Sequence, residues 1–334
     1  MSKRVILSFD YELFFGDKPG SVQKSLLDPT AMLMDAMEYA GAKATFFVDY
    51  MMLKYMMSEN ETTKAEAKLI IEQLQEMVRR GHRIELHLHP HWVDAKYKEG
   101  KWDFSDFSHY CLSSFPKDEI TALFIEGTTY LERIAREVQP AYKIVAFRAG
   151  GWAILPFEVM KEGFHKAGLR VDSSVMQGCK IYANDMELDF TNAPQESIYK
   201  FNDEVLAEEA DGPFVEAQIC SFQHTIPTSL YSIYYSKKHR ELYKHLTDGS
   251  HARKDSKQVP APKMTKWQIM HRRQGFSLGG VPSCILNYEI RKSKAPFVVI
   301  ISHPKDIMPI TTLNIRKMKG QGFEFKTFSD ILQQ

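Results

Sequence analysis

Short apolar runs alternate with longer segments of helical periodicity along much of the chain. Residues 4–9 (RVILSF) form one such run, of the kind expected for a strand that is covered on both faces. Similar runs predict further strands at 44–49, 82–89, 144–150, 169–174, 213–219, 297–303 and 323–328. Apolar positions at helical spacing, bounded by Gly or Pro, predict helices at about 29–40, 62–80, 117–137, 156–168 and 310–319.

This alternation of strands and helices predicts an α/β fold with a mostly parallel sheet and helices outside it. About seven or eight such units fit either a barrel or an open sheet. The alternation is interrupted at about 222–295, where the sequence is irregular and rich in Tyr, Lys, Arg, His and Pro. We therefore predict a single domain, 1–334, with an insertion at about 222–295 before the last strands.

The overall charge is nearly balanced, with 43 Lys and Arg against 42 Asp and Glu and a net charge of +1. This balance argues against nucleic-acid binding, which usually requires a strongly basic domain. No apolar stretch reaches the roughly 18 residues that a membrane span needs. The four cysteines lie far apart and form no CxxC pair. We therefore expect reduced thiols and a cytoplasmic location.

Four of the 12 histidines lie close together, in the segment 81–92 (GHRIELHLHPHW). His87, His89 and His91 would share one face of a continuing strand. Pro90 removes a backbone donor, so the strand is expected to end there. His87 and His91 could then converge on one ion, since imidazole is a common ligand of first-row metals. His82, near the start of the strand, is expected to have a structural role.

Two carboxylates, Asp10 and Glu12, stand two residues apart at the end of the first apolar run. On an extended chain both side chains point to the same face. Because a buried carboxylate without a partner is costly, this pair suggests a metal site, a general base, or both. A salt-bridged pair at the exit of the strand would have the same pattern.

Two more strands are predicted to end in a polar side chain. Arg148 lies at the end of the strand at 144–150 and is followed by two glycines, and His303 ends the strand at 297–303. An arginine in such a place can orient a carboxylate through paired hydrogen bonds. In parallel α/β folds active sites form at the carboxyl ends of the strands, so these side chains are expected to meet there.

These residues, in this order, resemble motifs of the polysaccharide deacetylases, also called carbohydrate esterase family 4. The segment 8–12 (SFDYE) is similar to the family's T-F-D-D-G, and 81–91 (GHRIELHLHPH) is similar to G-H-E-I-x-x-H-[ST]-x-x-H. The turn at 147–151 (FRAGG) and the strand at 41–48 (GAKATFFV) also resemble family motifs, and His303 matches a histidine at the end of a late strand.

The resemblance implies a distorted (β/α) barrel of about seven parallel strands and a divalent metal, with zinc as the expected ion. It implies that His87 and His91 bind the metal, together with carboxylate oxygen from Asp10 or Glu12. It further implies that Asp10 is the general base and that Arg148 orients it. His303 would be the general acid.

One departure from the family pattern affects the ligand set. The family's second aspartate is usually the third metal ligand, and this chain has Tyr11 at that position. Glu12 could supply the missing oxygen. Alternatively, Asp10 binds the metal and Glu12 acts as the base. His89 could also join the coordination sphere.

The activity implied by the resemblance is removal of an N-acetyl group from a sugar, or from a sugar-containing precursor of a surface polysaccharide. Two alternatives are a hydrolase of the same fold that acts on another C–N bond, and a catalytically silent carbohydrate-binding protein. Basic residues at 237–273 would suit an anionic substrate, such as a nucleotide- or lipid-linked sugar. A solvated surface insertion would have the same composition.

Overall fold

A computed structural model of the chain describes residues 2–106, 108–183, 186–251 and 263–333. The strands of the main sheet are β1 (Lys3–Tyr11), β2 (Ala44–Asp49), β3 (Arg83–Leu88), β6 (Ala146–Ala149), β7 (Val171–Asp172), β10 (Ile198–Phe201), β11 (Phe214–Ala217), β14 (Phe297–Ser302) and β15 (Phe323–Phe325). The strands of three small hairpins are β4 (Lys96–Lys98) with β5 (Lys101–Asp103), β8 (Lys180–Ala183) with β9 (Met186–Asp189), and β12 (Ser221–Gln223) with β13 (Arg273–Gly275).

Helices follow most strands of the main sheet. The helices are α1 (Asp28–Ala40), α2 (Tyr50–Glu59), α3 (Glu61–Arg79), α4 (Lys117–Arg136), α5 (Lys161–Lys166), α6 (Ile226–Lys238), α7 (Lys266–Met270), α8 (Ser283–Lys292), α9 (Pro309–Arg316) and α10 (Phe328–Ile331). No helix of the described residues is long and apolar enough to cross a lipid bilayer.

Seven neighbouring strands of the main sheet are parallel, in the order β14-β1-β2-β3-β6-β7-β11. The strand β10 adds to β11 in the antiparallel direction, and β15 pairs with the start of β1. Strands β1 and β2 are buried over almost their whole length, because helices cover the outside and side chains fill the inside. The predicted α/β class with about seven parallel strands is confirmed.

The two ends of this sheet are joined by backbone hydrogen bonds, so the sheet nearly closes into a barrel. The amide of Cys220, just after β11, donates to the carbonyl of Val299 in β14 at 3.1 Å. The amide of Phe276 donates to the carbonyl of Cys220 at 2.8 Å, and the amide of Ile301 donates to Phe276 at 3.0 Å. The predicted distorted barrel is therefore confirmed, and Phe276, directly after β13, helps to close it.

Local sequence signals explain several helix ends. The side chain of Asn60 caps α3 by accepting from the amides of Thr62 and Thr63. Gly41, with φ of 68°, ends α1 in the left-handed conformation that glycine adopts readily. These ends lie within a residue or two of the predicted ones.

The insertion predicted at about 222–295 is more regular than its sequence suggested. It contains α6, α7, α8 and β13, and the adjoining β12 overlaps its first residues. The prediction missed α6 because that helix lacks a buried apolar stripe, as only Ser229 among its residues is buried. Three of the basic residues noted there, Arg253, Lys254 and Lys257, lie outside the described residues.

Candidate metal centre and active site

Polar side chains from four strands meet at the carboxyl end of the barrel. Asp10 lies near the end of β1 and Glu12 directly follows it, His87 lies in β3, Arg148 lies in β6, and His303 follows β14. The strands β14, β1, β2, β3 and β6 are consecutive neighbours and all parallel, so their carboxyl ends share one rim. This is the rim where barrel enzymes carry their catalytic residues.

Asp10 is a buried carboxylate with a partner on each oxygen. Its Oδ1 accepts from Nη1 of Arg148 at 2.6 Å, and its Oδ2 lies 3.3 Å from Nε2 of His303. Burial raises the pKa of Asp10, but the charge of Arg148 and the hydrogen bond from His303 together outweigh burial and hold the pKa well below its usual range. Asp10 is therefore ionised at neutral pH.

Arg148 is fully buried inside the barrel and uses all of its nitrogens. Its Nε donates to the carbonyl of Ser173 at 2.7 Å, and its Nη2 donates to the hydroxyls of Ser173 and Ser8 at 3.0 Å. The guanidinium also lies over the ring of Phe47, 4.2 Å from its centroid. Its four hydrogen bonds hold the guanidinium of Arg148 in one orientation, and this orientation positions the carboxylate of Asp10.

Glu12, His87 and His89 form a buried group whose ligand atoms all lie within 4.8 Å of one another, the spacing that a shared metal ion requires. Oε2 of Glu12 lies 3.2 Å from Nε2 of His87 and also contacts Nε2 of His89. Burial raises the pKa of Glu12, but the charges of His89 and Lys305 lower it well below the usual range. Two imidazole nitrogens therefore converge on one oxygen of an ionised carboxylate.

The tautomer of His87 shows why a cation suits this group. Nδ1 of His87 lies 2.6 Å from the carbonyl oxygen of Arg148, and since a carbonyl only accepts, Nδ1 is the donor. In the neutral ring the lone pair is then on Nε2 and points at Glu12. Without a cation this contact requires an additional proton, and the pKa of His87 is raised because the contributions of Glu12 and Asp10 exceed that of burial.

The donor set fits a divalent metal ion. A histidine that gives its second N–H to a backbone carbonyl is the usual arrangement around a metal. Two imidazoles, one carboxylate and an open position form the pattern of a catalytic zinc site. The 3.2 Å between His87 Nε2 and Glu12 Oε2 is close to the roughly 3.4 Å separating two ligands of a tetrahedral zinc with bonds of roughly 2.1 Å. The buried Nδ1 of His89 has no hydrogen-bond partner among the described residues.

His91, which the sequence pattern placed in the metal site, lies outside this group. It is fully buried in the 3₁₀ turn Pro90–Asp94, stacked on Tyr110 with 5.8 Å between ring centroids. Its ring also meets Phe15 edge-on at 4.1 Å, and it lies 5.0 Å from the ring of His89. The turn after Leu88 therefore places His91 among aromatic side chains, and the structure gathers Glu12, His87 and His89 instead.

His303 is the most exposed member of the site and faces both carboxylates. Its Nε2 lies 3.3 Å from Oδ2 of Asp10 and 3.8 Å from Oε1 of Glu12, and its Nδ1 lies 3.9 Å from Oδ2 of Asp306. Burial lowers the pKa of His303, but the hydrogen bond and charge of Asp10 raise it above the usual value. His303 is therefore poised to hold a proton beside the two carboxylates.

Lys305 contacts the centre of the site, although the sequence pattern did not indicate it. Its ammonium donates to Oε1 of Glu12 at 2.7 Å and to the carbonyl of Leu13 at 3.0 Å, and the side chain is 2% exposed. The ammonium also lies 4.7 Å from the centroid of the Phe15 ring. Its position two residues after the strand-end His303 was the available signal.

Asp49 is a second residue that the sequence analysis missed. It ends β2, and its Oδ1 accepts from the amide of His89 at 3.3 Å while its Oδ2 accepts from Nε1 of Trp92 at 2.7 Å. Burial raises its pKa. Asp49 thus connects the end of β2 to the segment that carries His89 and Trp92, and so positions His89 against Glu12.

A cavity of about 400 Å³ opens beside His303. The insertion supplies much of its wall. The lining residues are Trp152, Met176, His245, Gln274, Gly275, Ser277, Gly279, Gly280, Ile301, Ser302, His303, Asp306, Met308 and Thr311. The volume falls within the range of small-molecule pockets, so the carboxyl rim of the barrel has space for a ligand beside His303.

A further pair of carboxyl groups, Asp172 and Glu216, lies opposite each other on the neighbouring strands β7 and β11. Both are fully buried. Burial raises the pKa of both groups, and the charge of Asp172 raises that of Glu216 further, well above its usual range. Asp172 also accepts from the hydroxyl of Ser174 at 2.8 Å. Both carboxyl groups are therefore harder to ionise than exposed ones.

Comparisons with known proteins agree with the fold. No protein-family model matches the sequence, and a search of curated proteins gives no match. A protein from Mycobacterium smegmatis assigned as a polysaccharide deacetylase aligns over 100% of this chain and 90% of its own, with 13% identity and a TM-score of 0.50.

Two further solved structures also align with this chain. A 4-alpha-glucanotransferase from Thermococcus litoralis aligns over 100% of this chain and 41% of its own, with 11% identity and a TM-score of 0.51. A CE4 family pseudoenzyme from Bacillus anthracis aligns over 99% of this chain and 66% of its own, with 10% identity and a TM-score of 0.41. At these identities the similarity establishes the fold, and the chemistry has to be argued from the site.

Proposed function

We propose that this chain, which has the fold of the polysaccharide deacetylases, is a metal-dependent hydrolase that removes an N-acetyl group from a sugar. The observation that carries the proposal is the convergence of His87 Nε2 and His89 Nε2 on one oxygen of Glu12, at the carboxyl rim of the barrel. The second ring nitrogen of His87 is committed to a backbone carbonyl, which leaves Nε2 available for a metal.

Glu12, His87 and His89 would hold the metal, and zinc is the ion that this donor set suits best. When bound, such an ion supplies Lewis acidity, which polarises the acyl carbonyl and makes water easier to deprotonate. This ligand set differs from the one predicted from sequence, since His89 takes the place of His91 and Asp10 is left to another role. Arg148 and His303 contact the two oxygens of Asp10, which supports a role for Asp10 other than metal binding.

Asp10 would act as the general base. It is ionised, and Arg148 holds Oδ1 so that Oδ2 faces the centre of the site. His303 would act as the general acid, because the hydrogen bond and charge of Asp10 raise its pKa and so favour the protonated ring. That proton would pass to the leaving amine. Arg148 touches no reacting atom and would serve as a positioning residue for Asp10.

The substrate would enter the cavity beside His303, whose volume of about 400 Å³ suits a small ligand. We extend the proposal to a sugar carried on a nucleotide or lipid diphosphate, in the cytoplasmic stage of surface polysaccharide synthesis. The cationic side chains of the insertion, Lys237, Lys238, Arg240 and Lys244 among them, support an anionic carrier.

The experiment compares metal content and acetate release in a matched set of histidine variants. Wild-type protein is stripped with a chelator, reloaded with zinc, and assayed for acetate released from N-acetylated sugars, nucleotide-linked and free. His87→Gln and His89→Gln should each lose bound zinc and turnover. His91→Gln, in the same segment, should keep its zinc. Circular dichroism verifies that each variant is folded.

Three outcomes would overturn parts of this proposal. Zinc lost from His91→Gln and kept by His89→Gln would restore the ligand set predicted from sequence. Acetate release that is unaffected by the chelator would refute metal dependence altogether. Release of a product other than acetate from the same site would favour a hydrolase of another C–N bond.

Two observations favour the alternative of a silent sugar-binding protein. Tyr11, in the position of the family's second aspartate, is buried with its hydroxyl donating to Gln73 at 2.8 Å, so it faces away from the histidines. In addition, the ammonium of Lys305 occupies Oε1 of Glu12. Tight sugar binding with no product at full zinc loading would support this alternative.

A further inference from the structure

Helix α6 exposes its apolar side chains to solvent and buries a polar one. Ile226, Leu230 and Ile233 are spaced four and three residues apart, so they form one stripe, and all three are exposed, Leu230 by 55%. The only buried residue of the helix, Ser229, points inward and donates to the carbonyl of Met270 at 2.8 Å. A surface helix normally turns its apolar stripe toward the core. Here the apolar stripe faces outward.

Helix α7 lies beside α6, because the Ser229 hydrogen bond joins α6 to the end of α7. Trp267 is 65% exposed, the largest value among the exposed large hydrophobic side chains of the described residues. We define the α6–α7 surface by its exposed apolar side chains, which are Ile226, Leu230, Tyr231, Ile233, Tyr234, Met264, Trp267 and Ile269. Such a concentration marks an interaction surface, since apolar side chains exposed singly are ordinary.

The same part of the chain is strongly basic. The described segments 226–251 and 263–273 carry eight Lys and Arg against two Asp and Glu, whereas the whole chain has a net charge of only +1. Both acidic groups already have partners. Glu241 pairs with Lys244 at 2.9 Å, and Asp248 accepts hydrogen bonds from Ser21 and Ser25. The cations therefore exceed the acids that could neutralise them, and the surface favours an anionic partner.

We propose that the α6–α7 surface docks onto an anionic lipid bilayer. Exposed Leu, Ile, Trp and Tyr beside Lys and Arg form the combination that inserts at the headgroup boundary of such a membrane. The tyrosine and tryptophan rings and the long lysine side chains suit that boundary, because each has an apolar body and a polar tip. A second copy of the chain fits less well, since a symmetric contact through this surface would bring like charges together.

The surface adjoins the cavity beside His303. His245, a few residues after α6, and Gln274, a few residues after α7, both line that cavity. The amide of Leu246 donates to the carbonyl of Ile307 at 3.0 Å, which ties this segment to the turn that follows His303. Docking would therefore bring the mouth of the cavity near the headgroups. That consequence for a lipid-linked sugar rests on the proposed function, whereas the docking does not.

The test is flotation of the full chain with vesicles of phosphatidylcholine, with and without phosphatidylglycerol. Wild-type protein should float with the anionic vesicles and stay behind with the neutral ones. The double variant Leu230→Ser/Ile233→Ser should bind about tenfold less, because two apolar side chains leave the interface. The matched control, Met32→Ser/Leu69→Ser, changes two equally exposed apolar residues on α1 and α3 and should bind like wild type.

Charge is tested separately. Lys237→Glu/Lys238→Glu should abolish the preference for phosphatidylglycerol, and salt should weaken wild-type binding. Binding that survives Leu230→Ser/Ile233→Ser would overturn the proposal, as would failure of the wild type to float. Self-association that this variant abolishes would assign the surface to a second copy instead. Acetate release from a water-soluble sugar is measured in parallel, so a failed docking proposal and a failed catalytic proposal remain distinguishable.

Discussion

Replacing Arg148 with methionine tests the electrostatic centre of the barrel directly. The guanidinium is fully buried and makes a 2.6 Å bond to Asp10, with further hydrogen bonds to Ser173 and Ser8. In Arg148→Met the Asp10 carboxylate stays buried with only His303 beside it. Removal of one partner of a buried ion pair costs about 3–5 kcal/mol, because the remaining charge is uncompensated. We expect a loss of that size in the free energy of unfolding.

The assay is urea denaturation followed by circular dichroism, in the presence of a chelator so that metal binding does not contribute. The double variant Asp10→Asn/Arg148→Met removes both charges. Its cost should fall short of the sum of the two single variants by about 2 kcal/mol, the coupling expected for residues in direct contact. Additive costs would refute the claim that the pair is energetically coupled.

The pH dependence adds a second check with a definite sign. In the wild type the folded pKa of Asp10 lies below its unfolded value of about 3.9, so its contribution to stability is present above that pH and is lost as the pH falls through the folded pKa. In Arg148→Met the largest contribution that lowers the pKa of Asp10 is gone, so burial raises that pKa and acid relieves the cost. The stability gap between the two proteins should therefore narrow from neutral pH toward about 4. A gap that stays constant would show that the loss comes from packing alone.

Two further predictions concern other parts of the barrel. The folded pKa of Glu216 is raised well above its unfolded value of about 4.3, so its contribution to stability is lost as the pH rises through the folded pKa. Urea titrations should therefore show Glu216→Gln gaining stability relative to wild type from about pH 5 to 8, and a constant difference in the free energy of unfolding would contradict this. Gly163→Ala should lower the free energy of unfolding by about 1–3 kcal/mol, since the new Cβ would lie 2.9 Å from Cα of Thr121 and from Cδ2 of Phe124. A rise in the midpoint of thermal unfolding would show instead that the higher helix propensity of alanine outweighs this close contact.

The barrel was predictable because its strands are short apolar runs that end in polar residues. The run at 44–49 coincides with β2, and 4–9 and 297–303 lie within about two residues of the observed strand ends. Parallel strands align their carboxyl ends, so Asp10, Arg148 and His303 could be assigned to one rim without knowledge of any distance. The contacts among those three residues follow from the alternation of side chains along each strand.

The choice between His89 and His91 was beyond the sequence. Both residues flank Pro90, and the side to which each ring turns depends on backbone angles set by the 3₁₀ turn that begins there. His89 keeps an extended conformation, with φ of −111° and ψ of 93°, and its amide is held by Asp49 at the end of a different strand. Only the tertiary structure supplies that bond. The spacing of the histidines could indicate a metal site without indicating which pair faces Glu12.

Lys305 illustrates a different limit. A lysine is seldom fully buried unless it is paired, and its partner Glu12 is 293 residues away in the sequence. Sequence patterns assign lysines to the surface by default, so this residue could be recognised only once β1 and β14 were known to be neighbours.

Helix α6 was not predicted because its apolar side chains are exposed, and the same feature indicates an interaction surface. Pattern-based prediction of a helix assumes that the apolar stripe marks the buried face, and in α6 the buried face carries serine while the stripe at Ile226, Leu230 and Ile233 is exposed. Such a helix gains little from packing against the rest of this protein, so the three exposed side chains cannot be explained by the stability of the isolated fold. A partner that covers them would explain both their spacing and the basic residues around them, because apolar and cationic side chains together suit an interface that is itself apolar and anionic.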